Sequence, residues 1–258
     1  MIRLTARALE DVLVKYLHER SPSLRRPSVL GIGGFPYTGK SHLAHIIRDA
    51  WQLGRAAILP TESAILPRAA RLKHNTDGCS PASHDMRLLL EQVTTLCEGQ
   101  AIQLREYSWS TGNALGTTVM EGLCHGDLLI IDGSVAAAPP IASRCDLLVL
   151  LYPAQERQWL PVACERDILE RGWDPGEAYA QNLRKAKTSA RLGILPEARQ
   201  SIYVQVDPIS WARFIPECSN YEHPTPRLSA STAPHPIQRQ QLISAIMLDH
   251  AGRAAITA

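Results

Sequence analysis

Between residues 28 and 54 the chain reads SVLGIGGFPYTGKSHLAHIIRDAWQLG, and this stretch narrows the possible folds more than any other. The apolar run from Ser28 to Ile32 predicts a buried strand, and SHLAHIIRDAWQLG predicts a helix closing at Gly54. Between them stand Gly34, four intervening residues, Gly39, Lys40 and Ser41, which is the Walker A spacing. The chemistry needs these residue types. Glycines let backbone N–H groups turn inward around phosphate oxygens, and the start of the helix adds its positive end. Gly34, Tyr37, Thr38, Gly39, Lys40, Ser41 and His42 are the expected nucleotide contacts. Lys40 would neutralise β- and γ-phosphate charge, and the Ser41 hydroxyl would ligate Mg²⁺. A glycine-rich turn with an accidental lysine is the competing reading, and the flanking strand and helix argue against it. Phe35, Pro36 and Tyr37 are bulky or rigid where such loops carry small residues. A loop that donates several N–H groups can spare the one Pro36 lacks, and Phe35 and Tyr37 are expected to thicken its outer wall.

Further along, AAILP, AIQLREY, DLLIID, CDLLVLLY and SIYVQV read as strands. DMRLLLEQVTTLCEG and a charged stretch over 157–190 read as helices. Short apolar strands alternating with helices predict a parallel sheet covered on both faces. Ile2, Leu4, Leu9, Val12, Leu13 and Leu17 have roughly helical spacing over residues 2–19. The polar stretch 61–83 is too long for a simple turn and so is a functional suspect. HPTPRLSASTAPHP reads as a linker ahead of a short terminal helix.

Composition excludes more than it assigns. With 27 basic and 25 acidic residues the net charge is +2, so no nucleic-acid partner is expected. The six cysteines show no C-x-x-C spacing, which fits a reduced, intracellular setting and no zinc knuckle. The N-terminus lacks a signal-peptide core and no apolar run is long enough to span a bilayer, so a cytoplasmic protein away from membranes is expected. The nine histidines form no metal-ligand pattern.

Three further segments carry a family resemblance. SHDMRLLLEQVTTLCEGQAIQLREYSW resembles the uridine kinase family's acceptor region, where an Asp-led helix, a Gly turn and a strand ending in Tyr form a pocket. ERDILERGWD resembles that family's lid, and LLIIDG resembles its strand that usually ends in Glu-Gly. Together with the phosphate loop these cover about residues 28–206 in the family's order. The resemblance, to P-loop kinases of the uridine kinase and phosphoribulokinase kind, implies an α/β P-loop NTPase fold. It implies a five-stranded parallel sheet with helices on both faces and a mobile helical lid. Residues 1–27 would then be an N-terminal helix and linker, 28–215 the kinase domain with its lid at about 157–190, and 216–258 the Pro/Ser-rich linker and C-terminal helix.

The same resemblance implies roles. Glu62 falls where the family has an Asp that serves as base for the acceptor hydroxyl near Mg²⁺. A carboxylate at the C-terminal end of a strand suits that task, and a solvated loop glutamate is the bland alternative. Asp132 matches the acid that holds the Mg²⁺ shell, and an acid ending an apolar strand is hard to explain structurally. Asp85 matches an acid gripping sugar hydroxyls, although a helix N-cap explains it equally well. Tyr107 and Trp109 would stack on a flat acceptor, with core packing as the alternative. Arg166 and Arg171 match lid arginines that close over the phosphates, against an ion-paired solvated face made with Asp167 and Glu170.

Departures surround these matches. Ala64 and Ile65 replace an aromatic pair, Ser80 replaces the His of His-Pro, and a Ser-Thr-Gly turn replaces a histidine after the Tyr107 strand. Trp173 replaces a lid arginine, which implies slower transfer, or a lysine such as Lys185 or Lys187 supplying the deficit. The implied activity is transfer of the γ-phosphate of ATP, with Mg²⁺, to a hydroxyl of a small-molecule alcohol: a nucleoside or a specialised sugar-like or nucleoside-like acceptor. The alternative is a nucleotide-binding regulator or scaffold that has lost phosphotransfer. A GTPase has little support without an Asn-Lys-x-Asp guanine reader. Homo-oligomerisation stays open at this stage.

Overall fold

The computed structural model describes residues 2–21, 24–108, 111–194, 200–206 and 227–230. Strand β1 (Ile2–Thr5) leads into α1 (Ala6–Arg20), then β2 (Ser28–Gly34), α2 (Lys40–Ala50) and β3 (Ala56–Pro60). A 3-10 turn (Thr61–Ala64), the short helix α3 (Arg68–Lys73) and a second 3-10 turn (Pro81–Ser83) occupy the polar stretch after β3. There follow α4 (Met86–Cys97), β4 (Ile102–Tyr107), β5 (Ala114–Met120), β6 (Leu128–Asp132), a 3-10 turn (Ser134–Ala137) and α5 (Pro139–Ala142). The chain continues through β7 (Leu147–Pro153), α6 (Glu156–Arg171), α7 (Pro175–Ile194), β8 (Ser201–Val206) and β9 (Arg227–Ala230).

The main sheet has the order β1-β9-β8-β7-β2-β6-β3. From β8 to β3 the five strands run parallel, as the resemblance implies, and β9 and β1 extend the β8 edge antiparallel. Every residue of β2 and β6 is buried, the signature of parallel strands covered on both faces. Alternation sorts their side chains into two layers. Leu30, Ile32, Leu128, Ile130, Leu147 and Val149 pack with Leu9, Leu13 and Leu17 of α1 and with Leu43 and Ile47 of α2. Val29, Leu129, Ile131, Leu148 and Leu150 pack on the opposite face with Leu89, Val93 and Leu96 of α4. Among the described residues no helix is long and apolar enough to cross a membrane.

Several elements differ from the sequence reading. Residues 2–5 are a strand, with helix beginning at Ala6, because Ile2 to Thr5 pair with Arg227–Ala230, a segment that composition marks as linker. The terminal helix predicted beyond it lies outside the described residues. Helix α2 stops at Ala50, since Trp51 turns to extended backbone and its indole N–H donates to the Gly126 carbonyl at 3.0 Å. The predicted helix over 157–190 is two helices, broken at Gly172 in the left-handed region (φ 65°). Strand β4 leaves the main sheet to pair antiparallel with β5. Because β5 is exposed along nearly its whole length, no buried apolar alternation announces it in the sequence. Asp146, to which the sequence assigns nothing, binds Arg26 at 2.6 and 3.0 Å and accepts from the Val29 N–H at 2.9 Å, fixing the entry to β2.

Candidate active site

Strand β2 lies at the centre of the parallel strands and delivers its C-terminal end to the phosphate loop. Gly34, at φ 112°, leaves no room for a side chain, since a Cβ there would lie 2.1 Å from the Leu151 carbonyl oxygen. Phe35 N–H donates to that same carbonyl at 3.0 Å, anchoring the loop to β7. Tyr37 (φ 58°) and Gly39 (φ 81°) both take the left-handed conformation, the backbone alternation that turns N–H groups toward an anion. Gly39 is the N-cap of α2 and provides no side-chain cap, leaving the first-turn N–H groups available to a ligand. The loop is braced from within. Thr38 Oγ1 donates to the Phe35 carbonyl at 2.7 Å and Lys40 Nζ to the same oxygen at 2.6 Å. His42 lies half-buried in the first turn of α2.

Sheet register brings the acids to this loop. Pro60 of β3, Asp132 of β6 and Ile32 of β2 stand in line across three strands. Asp132 therefore ends its strand two residues short of the level of Gly34, and Glu62 follows two residues after Pro60. Asp132 is 6% exposed, and its Oδ1 is buried without a hydrogen-bond partner. Burial raises its carboxyl above the usual range, while a hydrogen bond with Ser41 and the charges of Lys40 and His45 pull it back. Burial likewise lowers the Lys40 ammonium, opposed by Cys79, Asp132 and Glu62. Each charge thus depends on the others. A buried, partnerless carboxylate oxygen beside a serine hydroxyl is a donor set for a hard cation. Among the described residues no three His, Cys, Asp or Glu side chains converge, so such a cation would complete its shell with phosphate oxygens and water, as Mg²⁺ does.

The loop after β3 folds back on α4 and β4. Asp85 is the N-cap of α4, its Oδ1 accepting from Leu88 N–H at 2.9 Å, so the capping role foreseen for it is real. Tyr107 OH accepts from Arg71, whose Nε also donates to the Leu66 carbonyl at 3.1 Å. Arg105 Nε donates to the Ser63 carbonyl at 2.9 Å, tying β4 to the turn that carries Glu62. His84 is buried, bonded through Nδ1 to the Ser80 carbonyl at 3.0 Å, and burial brings its imidazole down to about 4. Asp77 joins this loop to the lid: Oδ1 accepts from Cys79 N–H at 2.8 Å and Oδ2 from the Thr188 hydroxyl of α7 at 2.7 Å. Trp109 and the side chain of Arg171 lie outside the described residues.

The lid helices α6 and α7 meet the phosphate loop at its three unusual residues. Trp159 Nε1 donates to the Pro36 carbonyl at 2.7 Å, and its ring stands edge-on to buried Phe35 with centroids 5.4 Å apart. Tyr37 OH donates to Asp167, and Arg166 lies 5.0 Å over the Tyr37 ring. Phe35 and Tyr37 are therefore a docking face for the lid rather than an outer wall. Lys185 binds Asp167 at 2.8 Å and lies 4.8 Å from the Trp173 ring, so a lysine stands beside the tryptophan that replaces a lid arginine.

With a phosphate loop, two acids and a lid in one place, comparison with known proteins decides the family. The Phosphoribulokinase / Uridine kinase family matches residues 30–206. The chain belongs to this family. A uridine kinase of Lactobacillus johnsonii is 29% identical over 182 residues, 68% of this chain and 84% of the relative. The D-glycerate 3-kinase of Cryptococcus neoformans superposes with a TM-score of 0.58 at 12% identity, covering 79% of this chain and 96% of that one. Phosphoribulokinase from Rhodobacter spheroides gives 0.54 at 13% identity over 71% of this chain and 72% of its own. These two superpositions show the shared P-loop kinase fold. As a member of the phosphoribulokinase and uridine kinase family, the protein is a small-molecule kinase that uses a nucleotide as phosphoryl donor.

Within this kinase the sequence reading missed Asp77, Arg105 and the partners of Tyr37. Asp77 lies in the 61–83 stretch flagged as a functional suspect and Arg105 in the AIQLREY strand, but nothing in either segment singles out the residue, and their roles come from contacts with α7 and Ser63. The one available signal was size: a tyrosine in the glycine frame already asked for a neighbour to receive it.

Proposed function

We propose that this kinase transfers the γ-phosphate of ATP to a hydroxyl of a small-molecule alcohol. The observation that carries this reading is the buried, partnerless Oδ1 of Asp132 next to Ser41 and Lys40 at the mouth of the phosphate loop. The N–H groups of Gly34 and of Tyr37 through His42, with the Lys40 ammonium, hold the β- and γ-phosphates. Ser41 and Asp132, with Glu62 nearby, would hold Mg²⁺, which when bound supplies charge neutralisation between the β- and γ-phosphates. Glu62 accepts the acceptor's hydroxyl proton as the new O–P bond forms and the bond to the β-phosphate oxygen breaks, releasing ADP. Arg166, set over the loop by Tyr37, and Arg171 from the same helix stabilise charge on the transferring group. The Asp85 cap uses Oδ1, so Oδ2 is the atom that meets an acceptor hydroxyl, with Tyr107 and Trp109 flanking the acceptor.

The test measures ADP formation against a panel of nucleosides, sugars and hydroxy acids, D-glycerate included, with Lys40→Ala and Glu62→Gln as controls. Acceptor-dependent turnover that both substitutions abolish supports the assignment. Turnover retained in Glu62→Gln places the base elsewhere. Tight ATP binding without transfer to any acceptor favours a nucleotide-binding regulator.

A further inference from the structure

Tyr37 holds a conformation that side-chain-bearing residues adopt reluctantly, with φ at 58°. Such conformations persist when surrounding contacts over-determine them, and here those contacts come from the lid. The Tyr37 hydroxyl donates to Asp167 Oδ1, across 130 residues of sequence. Asp167 is fully buried, and its other oxygen takes Lys185 Nζ at 2.8 Å and Asn182 Nδ2 at 2.9 Å. Its charge is balanced inside the lid, so both lid helices converge on a single loop side chain through one carboxylate. Above the same ring, 5.0 Å away, lies the Arg166 guanidinium.

We propose that Tyr37 is a positioning residue that couples the nucleotide-binding form of the phosphate loop to the docked form of the lid, through its hydroxyl on Asp167 and its ring beneath Arg166. When the lid is docked, the hydroxyl bond keeps Tyr37 in the left-handed turn that aims loop N–H groups at phosphate. When it lifts, Tyr37 relaxes and the cradle loosens. Because coupling between binding events is reciprocal, nucleotide on the loop must tighten the lid by the factor with which the docked lid tightens nucleotide. The bond from Trp159 to the Pro36 carbonyl does not involve the Tyr37 side chain, so loss of the hydroxyl loosens the lid without releasing it.

This inference rests on the reading of the site as an ATP-dependent kinase, and the test separates the two. Tyr37→Phe keeps the ring and deletes the hydroxyl; Tyr37→Ser deletes both. Backbone hydrogen exchange across 156–171 is followed in full-length protein without nucleotide, alongside the Kd of a non-hydrolysable ATP analogue and steady-state kinetics. In Tyr37→Phe, exchange in α6 accelerates and the analogue binds roughly tenfold more weakly, as loss of a charge-assisted bond implies. The kinetic loss falls more on KM for ATP than on kcat. Tyr37→Ser adds a fall in kcat, because Arg166 loses its platform. Wild-type exchange in α6 of Tyr37→Phe overturns the coupling, as does accelerated exchange with unchanged analogue affinity. A wild-type protein that binds no ATP analogue overturns the kinase reading, and the exchange comparison still judges whether Tyr37 holds the lid.

Discussion

On the phosphate side of the site, Asp132 keeps a buried oxygen with no partner and Lys40 is an ammonium depressed by burial. On the side formed by the loop after β3, Asp85 caps a helix, Asp77 binds a backbone N–H and a lid hydroxyl, and Tyr107 is held by Arg71. One side leaves polar groups short of partners in a place water reaches poorly, and such groups are costly unless a ligand completes them. The other commits Asp77, Asp85 and Tyr107 to internal hydrogen bonds and is a scaffold first. The difference teaches how charge and scaffold are divided in this kinase: the phosphate side carries the buried, incompletely partnered charge of Asp132, while Asp77, Asp85 and Tyr107 are tied into the fold.

Substitutions can break or sharpen this contrast. Asp132→Asn should lower kcat/KM by roughly a thousandfold, at the upper end for loss of one electrostatic contact in a buried site. Its melting temperature should stay level or rise, since the change removes a buried charge, one of whose oxygens has no hydrogen-bond partner. A large fall in melting temperature would make Asp132 a structural residue and erase the contrast. Asp77→Ala should do the reverse, costing about 3 kcal/mol in urea unfolding because two donors lose their acceptor.

His84 tests the same division through pH. Its folded value of about 4 lies below the ordinary imidazole value, so the unfolded chain takes up the proton first. The stability this site contributes is full above about pH 6.5 and falls as pH drops toward 4, by roughly 3 kcal/mol at most. His84→Gln should flatten the pH dependence of the denaturation midpoint across that window, and a slope equal to wild type would remove His84 as the cause. The smallest effect belongs to Asp85→Ala, which should cost about 1 kcal/mol for a lost cap. A KM for the acceptor that also rises several-fold would show that Asp85 serves both scaffold and substrate.

The legible parts of this protein share one property: they are written locally. The frame Gly34-x4-Gly39-Lys40-Ser41 encodes its own turn, and the uninterrupted apolar runs of β2, β6 and β7 encode burial on two faces. Glu62 and Asp132 are picked out by their places in the family's pattern, each at or just past the C-terminal end of a strand. By contrast β5 was invisible, since a ribbon exposed along nearly its whole length needs no apolar alternation. The split of the lid at Gly172 also escaped, because intrahelical charge pairing looks alike in one helix or two.

Sequence alone thus determined the parallel sheet, the phosphate loop and the two acids that face it, because strand burial and loop geometry follow from neighbours a few residues apart. Tertiary structure decided what the odd loop residues are for. Phe35, Pro36 and Tyr37 read only as misfits until Trp159, Asp167 and Arg166 met them from more than a hundred residues away. Contacts of that range leave no period in the chain, since they arise from the folding of one element onto another.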